Sequence, residues 1–149
     1  MIQVLGAIFM SKKQKEIQNI RETIRHFHWA QENADENAFL SVWHPEAKRF
    51  GFGLNNELYV LSVEDILRDQ FNEIQKAKEE NPKYSVSFFI KQMKFFDVQP
   101  DNLIASVFVE WQMLVLGKCV GFHYTYYHLV KTEDQWVIVN VTDRARIPP

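Results

Sequence analysis

Apolar positions recur at helical spacing in the first half of the chain and at every second position in the latter half, and the period changes at Pro82. From Lys12 to about Gln31, the residues Ile17, Ile20, Ile24 and Phe27 fall three or four apart, which predicts an amphipathic helix with one buried stripe. Asn33 followed by Glu36 has the spacing of a capping box. It predicts a short second helix that packs through Phe39, Val42 and Trp43 and stops at Pro45. A third helix opens at Ser62 with Asp65 in the reciprocal capping position. Its stripe is Val63, Ile66, Leu67, Phe71, Ile74 and Ala77, and Asn81-Pro82 ends it. Between the second and third helices, "AKRFGFGLNNELYVL" predicts a hairpin turning at Asn55-Asn56.

After Pro82 four alternating segments follow, Tyr84–Asp97, Leu103–Leu116, Val120–Lys131 and Trp136–Asp143, all rich in β-branched and aromatic residues. Short separators, "VQPDN", "GKC" and "TEDQ", predict an antiparallel meander. Helices followed by a run of strands predict an α+β layer fold. Residues 12–149 read as a single domain behind a short leader, residues 1–11.

Turn length sets register, and register sorts side chains between faces. Closing the last hairpin at "TEDQ" puts Lys131 opposite Trp136, Leu129 near Ile138, Tyr127 near Asn140, Thr125 near Thr142 and His123 near Arg144. Closing the previous one at "GKCV" puts Glu110 opposite Tyr127 and Gln112 opposite Thr125. Extending through "VQPD" brings Phe89 opposite Glu110. One face then carries Glu110, Gln112, His123, Thr125, Tyr127, Asn140 and Thr142, edged by Phe89, Phe108, Leu129 and Ile138. The other carries Phe88, Ile90, Val109, Trp111, Met113, Tyr124, Tyr126, His128, Val137, Val139 and Val141. A single β-bulge would exchange part of a strand between them. Hydrophobicity alone makes the second face the core, yet both faces are apolar enough to be covered, one by helices and one by a partner.

Composition narrows the function. The chain has 149 residues, enough for one domain with a real core, with 46% apolar and 24% charged residues and a net charge of -2. Without a basic block, nucleic acid is not an expected partner. The one cysteine, Cys119, leaves no internal disulfide or cysteine-based metal site. The five histidines show no H-x-x-x-H pairing, so no metal site is expected. The run "MIQVLGAIFM" is too short to span a bilayer and lacks the basic region of a signal peptide. It reads as an extra strand or as a leader ahead of Met10. A reduced, cytoplasmic protein without a membrane partner is the simplest expectation.

The segments "VWHPEAKRFGF", "LSVEDIL" and "TYYHLVKTEDQWVIVN", in that order, resemble the nuclear transport factor two-like superfamily. They are most similar to its putative lumazine-binding (SnoaL-like) group, which also resembles polyketide cyclases, scytalone dehydratase and ketosteroid isomerase. The resemblance covers roughly residues 12–144. It implies a cystatin-like cone, in which three N-terminal helices pack in a strongly curved mixed or antiparallel sheet around a cavity. It also implies a homodimer through the convex face, here Trp111, Tyr124, Tyr126, His128 and Val139, and gives the cavity the face that bears His123. The family position matching Thr125 usually holds Asp. Threonine cannot serve as a carboxylate base.

In such a cone a desolvated Glu110 would act as base or neutral donor, Tyr127 would donate to a developing oxyanion, and His123 is the alternative base. Asn140 would orient a carbonyl. Trp43, Phe50, Phe52, Tyr59, Phe89, Phe108, Gln112 and Thr125 complete the expected ligand contacts. The same polar residues could instead be a network that holds the sheet together, with Lys91 pairing Glu110. His26 and His28, two apart on the first helix, cannot share a face. His44 suits helix termination or a hydrogen bond at the rim. The expected function is binding of a small apolar or aromatic molecule, with isomerase, dehydratase or cyclase chemistry that needs no cofactor. The alternatives are a ligand-binding module without catalysis and a dimeric protein-interaction module.

Overall fold

The structure, a computed structural model, describes residues 11–96, 98 and 103–149. The expected leader lies outside these residues except for Ser11, and the "VQPDN" turn except for Val98.

Helix α1, Lys12–Glu32, starts where Ser11 Oγ accepts from the Gln14 amide at 3.1 Å and Gln14 Oε1 accepts from the Ser11 amide at 3.0 Å. Its buried stripe is Ile20, Ile24 and Phe27, extended by His28 and Gln31. Helix α2, Glu36–Val42, is capped by Asp35 rather than Asn33, because Asn33 is already occupied in closing α1. It stops at Val42, before Pro45. Trp43 is extended, at φ -109° and ψ 137°, and opens strand β1, Trp43–Phe52. Helix α3 opens on the expected Ser62–Asp65 capping box over Val63–Ile66. It widens into a π-helical turn at Leu67–Phe71 and resumes as Asn72–Glu80. The wider turn lets two consecutive residues face inward. Phe71 packs on Phe39, and Gln70 reaches a cavity.

The remaining strands are β2 Leu58–Ser62, β3 Val86–Phe96, β4 Ile104–Val115, β5 Lys118–Thr132 and β6 Gln135–Arg146. They form one six-stranded sheet in the order β2-β1-β6-β5-β4-β3. Strand β1 returns from the helices to run parallel to β6, and the other pairs are antiparallel, so the sheet is mixed. The helices cover one face, and the core between them includes Ile20, Phe27, Phe39, Val107, Leu129 and Ile138.

Bulges and turns correct the expected register. Hairpin β4–β5 turns on Leu116 and Gly117, both at positive φ (51° and 78°), in the pattern of a two-residue type I′ turn. Together with a register shift between Met113 and Leu114, this places Glu110 opposite Tyr124 and Gln112 opposite Phe122. The offset from the expected pairing is odd, so β3 and β4 turn over as a unit relative to β5. In hairpin β5–β6 Lys131 faces Trp136 and Leu129 faces Ile138 as expected. A shift between His128 and Leu129 then moves Thr125 opposite Asp143, and Asn140 and Thr142 leave the inner face. The inner face therefore combines Phe88, Val109, Trp111 and Met113 with His123, Thr125 and Tyr127, and adds Val141 and Asp143.

Candidate functional site

Where β1, β5 and β6 run side by side, Asp143 is 2% exposed and Arg49 7%. A buried carboxylate is strongly unfavourable unless charge and hydrogen bonds compensate it. Arg49 Nη2 donates to Asp143 Oδ2 at 2.9 Å, His123 Nδ1 lies 3.0 Å from the same oxygen, and the Tyr59 hydroxyl donates to it at 3.3 Å. Thr125 Oγ1 donates to Asp143 Oδ1 at 2.6 Å while accepting from Trp111 Nε1 at 2.8 Å. Burial pushes the Asp143 carboxyl up, but the His123 contact, the Arg49 charge and the Thr125 hydroxyl hold it well below the usual carboxylate range. Burial likewise opposes the Arg49 charge, and the attraction of Asp143 outweighs it. Among the described residues, the buried Arg49 Nε has no hydrogen-bond partner.

A carboxylate accepts only, so His123 carries a proton on Nδ1, and in the neutral form of the ring Nε2 keeps its lone pair. The imidazole stacks on Trp111, with centroids 3.9 Å apart and planes 12° apart. A Cβ at Gly121 would stand 3.4 Å from His123 Nε2, in van der Waals contact with it. At Gly51 a Cβ would come within 2.6 Å of the Tyr59 hydroxyl and 2.5 Å of the Asp143 carbonyl oxygen, which reserves the space Tyr59 uses to reach the carboxylate.

Two cavities meet at this cluster. The first, about 220 Å³, is walled by Phe88, Trp111, Met113 and Ile74 and edged by Gln31, Gln70 and Glu73. A wider one, about 620 Å³, is bounded by Leu54, Tyr59, Leu61, Val120, Asp143 and Ala145. Both touch Arg49, Gln70, Met113 and His123, so the charged cluster stands at their junction.

Of the expected residues, the structure brings His123, Thr125 and Tyr59 together. Tyr127 is on the inner face but in the core, where its hydroxyl meets His28 Nε2 at 3.0 Å and it lines neither cavity. Trp43 is core as well, stacked on Phe39. Glu110 lies on the outer face, accepting from Gln92 Nε2 at 2.9 Å with Lys91 Nζ at 3.8 Å. The odd register offset carries Gln112, Phe89 and Phe108 outward with it, and Phe89 is 53% exposed. Asn140 is turned outward by the β6 shift. Phe50 and Phe52 alternate with inward Arg49 and Gly51, and Phe52 lies under the Arg144 guanidinium. Trp111, expected on the convex face, is instead a cavity wall, and Val139 sits in the bulge, whereas Tyr124, Tyr126 and His128 remain on the outer face.

Sequence reasoning missed Arg49, Asp143, Gln31, Gln70 and His28. Arg49 had a readable signal, since it alternates between Phe50 and Lys48 in a strand with one buried face. The others depend on bulges or on tertiary approach. Among the described residues, no three His, Cys, Asp or Glu side chains are grouped to hold a metal, and no helix is long and apolar enough to cross a membrane.

The family model described as putative lumazine-binding matches residues 15–142. No curated protein matches. Among solved structures, an NTF2-like protein of unknown function from Shewanella baltica superposes with a TM-score of 0.62 at 16% identity, covering 90% of this chain and 96% of that one. A putative dehydratase of the NTF2-like family from Streptomyces avermitilis gives 0.67 at 13% identity, covering 90% and 98%. The yeast UBP3-associated protein BRE5 gives 0.64 at 10% identity, covering 87% and 95%. At these identities the likeness is one of fold.

Proposed function

The chain belongs to the putative lumazine-binding family of the NTF2-like superfamily, and on that premise we propose that its cavity binds a small molecule on which His123 moves a proton. The observation that carries this reading is the His123–Asp143 pair, which engages Nδ1 and orients an imidazole that lines both cavities. An imidazole held in one orientation beside a guanidinium is suited to proton abstraction next to a carbonyl. His123 Nε2 takes the proton, Asp143 stabilises the imidazolium, and Arg49 stabilises the negative charge that develops on the carbonyl oxygen. Returning the proton to another carbon gives an isomerisation. Returning it to a departing hydroxyl gives a dehydration and releases water. The carboxylate expected at Thr125 is supplied from the paired strand by Asp143, and Thr125 becomes one of its hydrogen-bond donors. The NTF2-like protein from Streptomyces described as a putative dehydratase agrees with this class of reaction.

The reaction can be followed without the natural substrate, as incorporation of deuterium from D2O at the carbon next to the carbonyl of cyclic ketone probes. We expect protein-dependent exchange that falls about 10²- to 10⁴-fold in His123→Gln. Equal exchange in the two proteins would exclude His123 as the base. Binding of the probes with no exchange by the native protein would favour the non-catalytic ligand-binding module.

We also propose a homodimer through the convex face, with Tyr124, Tyr126 and His128 meeting a second copy. Its support is the exposure of Tyr126 (50%) and Phe89 on a face that no helix among the described residues covers.

A further inference from the structure

The two cavities that meet at the Arg49–Asp143–His123 cluster are walled by different kinds of residue. The smaller one has rings in its wall, but they pack on one another. Trp111 lies flat on His123 at 3.9 Å, which leaves no space between the two planes, and Phe88 stands at 73° to Trp111. The wider cavity is aliphatic, lined by Leu54, Leu61, Met113, Val120 and Ala145. Tyr59 also borders it, but its hydroxyl is given to Asp143 and its ring faces the Arg49 guanidinium at 5.8 Å. Among the described residues, neither arrangement is a slot between parallel rings, the geometry that suits a flat aromatic molecule.

The position of the aliphatic residues adds a second constraint. Leu54 follows β1 and Val120 lies near the start of β5, so the wider cavity opens between the β1–β2 and β4–β5 hairpins. At its inner end is the buried Asp143 carboxylate, whereas Leu54 is 55% exposed and Val120 42%. The apolar lining therefore runs from a buried ionic cluster out to the surface. A compact molecule seated at the cluster would leave both outer side chains in water. A longer apolar one reaches and covers them, and each methylene it buries strengthens binding about fourfold.

From these observations we infer that the ligand is an aliphatic carbonyl compound whose hydrocarbon chain lies in the wider cavity and ends between Leu54 and Val120. Its carbonyl lies at the inner end, beside Arg49 and His123. The inference rests on the reading of the cluster as a site of proton transfer next to a carbonyl, and it names the class of molecule.

The test titrates 2-butanone, 2-pentanone, 2-heptanone and 2-nonanone calorimetrically into the whole protein, with 2-acetonaphthone as a flat comparator. Deuterium exchange beside the carbonyl is followed for each ketone in parallel. The expected result is that affinity rises about fourfold per methylene along the series and that 2-nonanone binds at least about tenfold tighter than 2-acetonaphthone. In Leu54→Asp and in Val120→Asp the gain should fall below about twofold per methylene. Both substitutions fall at exposed positions, and thermal unfolding confirms that each variant is folded. Affinity that does not rise with length, a fourfold gain kept in both variants, or tighter binding of 2-acetonaphthone overturns the inference. Exchange of the bound ketones would then leave the proton-transfer reading standing. The expected rise with length but no exchange of any ketone overturns that reading and upholds the chain. Failure of every ketone to bind the native protein overturns both.

Discussion

Asp143 is the residue on which the site depends, because three donors and one guanidinium converge on its two oxygens. Removing its charge leaves Arg49 buried and unpaired. Asp143→Asn is therefore expected to destabilise the fold by about 3–5 kcal/mol, the usual consequence of breaking a buried ion pair from one side. Replacing both partners, as in Arg49→Met with Asp143→Leu, should be milder than the sum of the single changes, because no charge is stranded. Urea unfolding of the four proteins tests this. A loss below about 1 kcal/mol in Asp143→Asn would mean that the guanidinium is compensated without the carboxylate. The Asp143 pKa is depressed, so its contribution is complete above the ordinary carboxylate value of about 4 and is lost only as the pH falls below that range. The site is therefore insensitive to Asp143 titration near neutrality.

Among the elements, α1 is fastened to the sheet by His28. Its Nδ1 donates to the Phe88 carbonyl at 3.1 Å on β3, and its Nε2 accepts from the Tyr127 hydroxyl at 3.0 Å on β5. Burial lowers its pKa from 6.5 to about 4, with the charges of Arg49 and His123 adding to the effect and the Phe88 carbonyl and Asp143 opposing it. The folded pKa lies below the unfolded one, so the unfolded chain takes up the proton first as the pH falls. The contribution is present above about 6.5 and declines toward about 4, by about 2 kcal/mol between pH 7 and pH 5. The predicted signature is differential. The stability gap between native protein and His28→Gln should shrink by that amount over the interval, as measured by urea unfolding at each pH. Parallel losses in the two proteins would contradict a neutral, buried His28. This fastening was not legible beforehand. Two histidines two residues apart on one helix identify only one as inward, and nothing local says that a β3 carbonyl and a tyrosine 99 positions away would receive it.

For the whole molecule, no helix among the described residues covers the outer face of the open sheet, and Tyr126, with the Phe108 ring tilted against it at 5.0 Å, stands near the middle of it. If a second copy covers this face, Tyr126→Glu buries a carboxylate against apolar surface. The variant is expected to be monomeric at concentrations where the native protein is a dimer, as read by light scattering, with the fold retained. A dimer in both proteins, or a monomer in both, would remove this face as the interface.

Local pattern determined the helices α1 and α3, the serine-aspartate capping box, the hairpin at Asn55-Asn56, the α+β class and, through its motifs, the family. Each is a property of neighbouring residues, so periodicity and capping chemistry carry it. The inward face of β5 was legible too, and with it His123, Thr125 and the hairpin register at Lys131–Trp136. The partners of that face were decided only by tertiary structure. A two-residue type I′ turn and two bulges change strand parity, and each odd offset exchanges the faces of everything beyond it. Glu110 was sent outward and Asp143 inward in this way, while the parallel return of β1 brought Arg49 beside a strand 94 positions later. The catalytic candidate could be found in the sequence, but the carboxylate that orients it could not, because the pairing of the two is non-local.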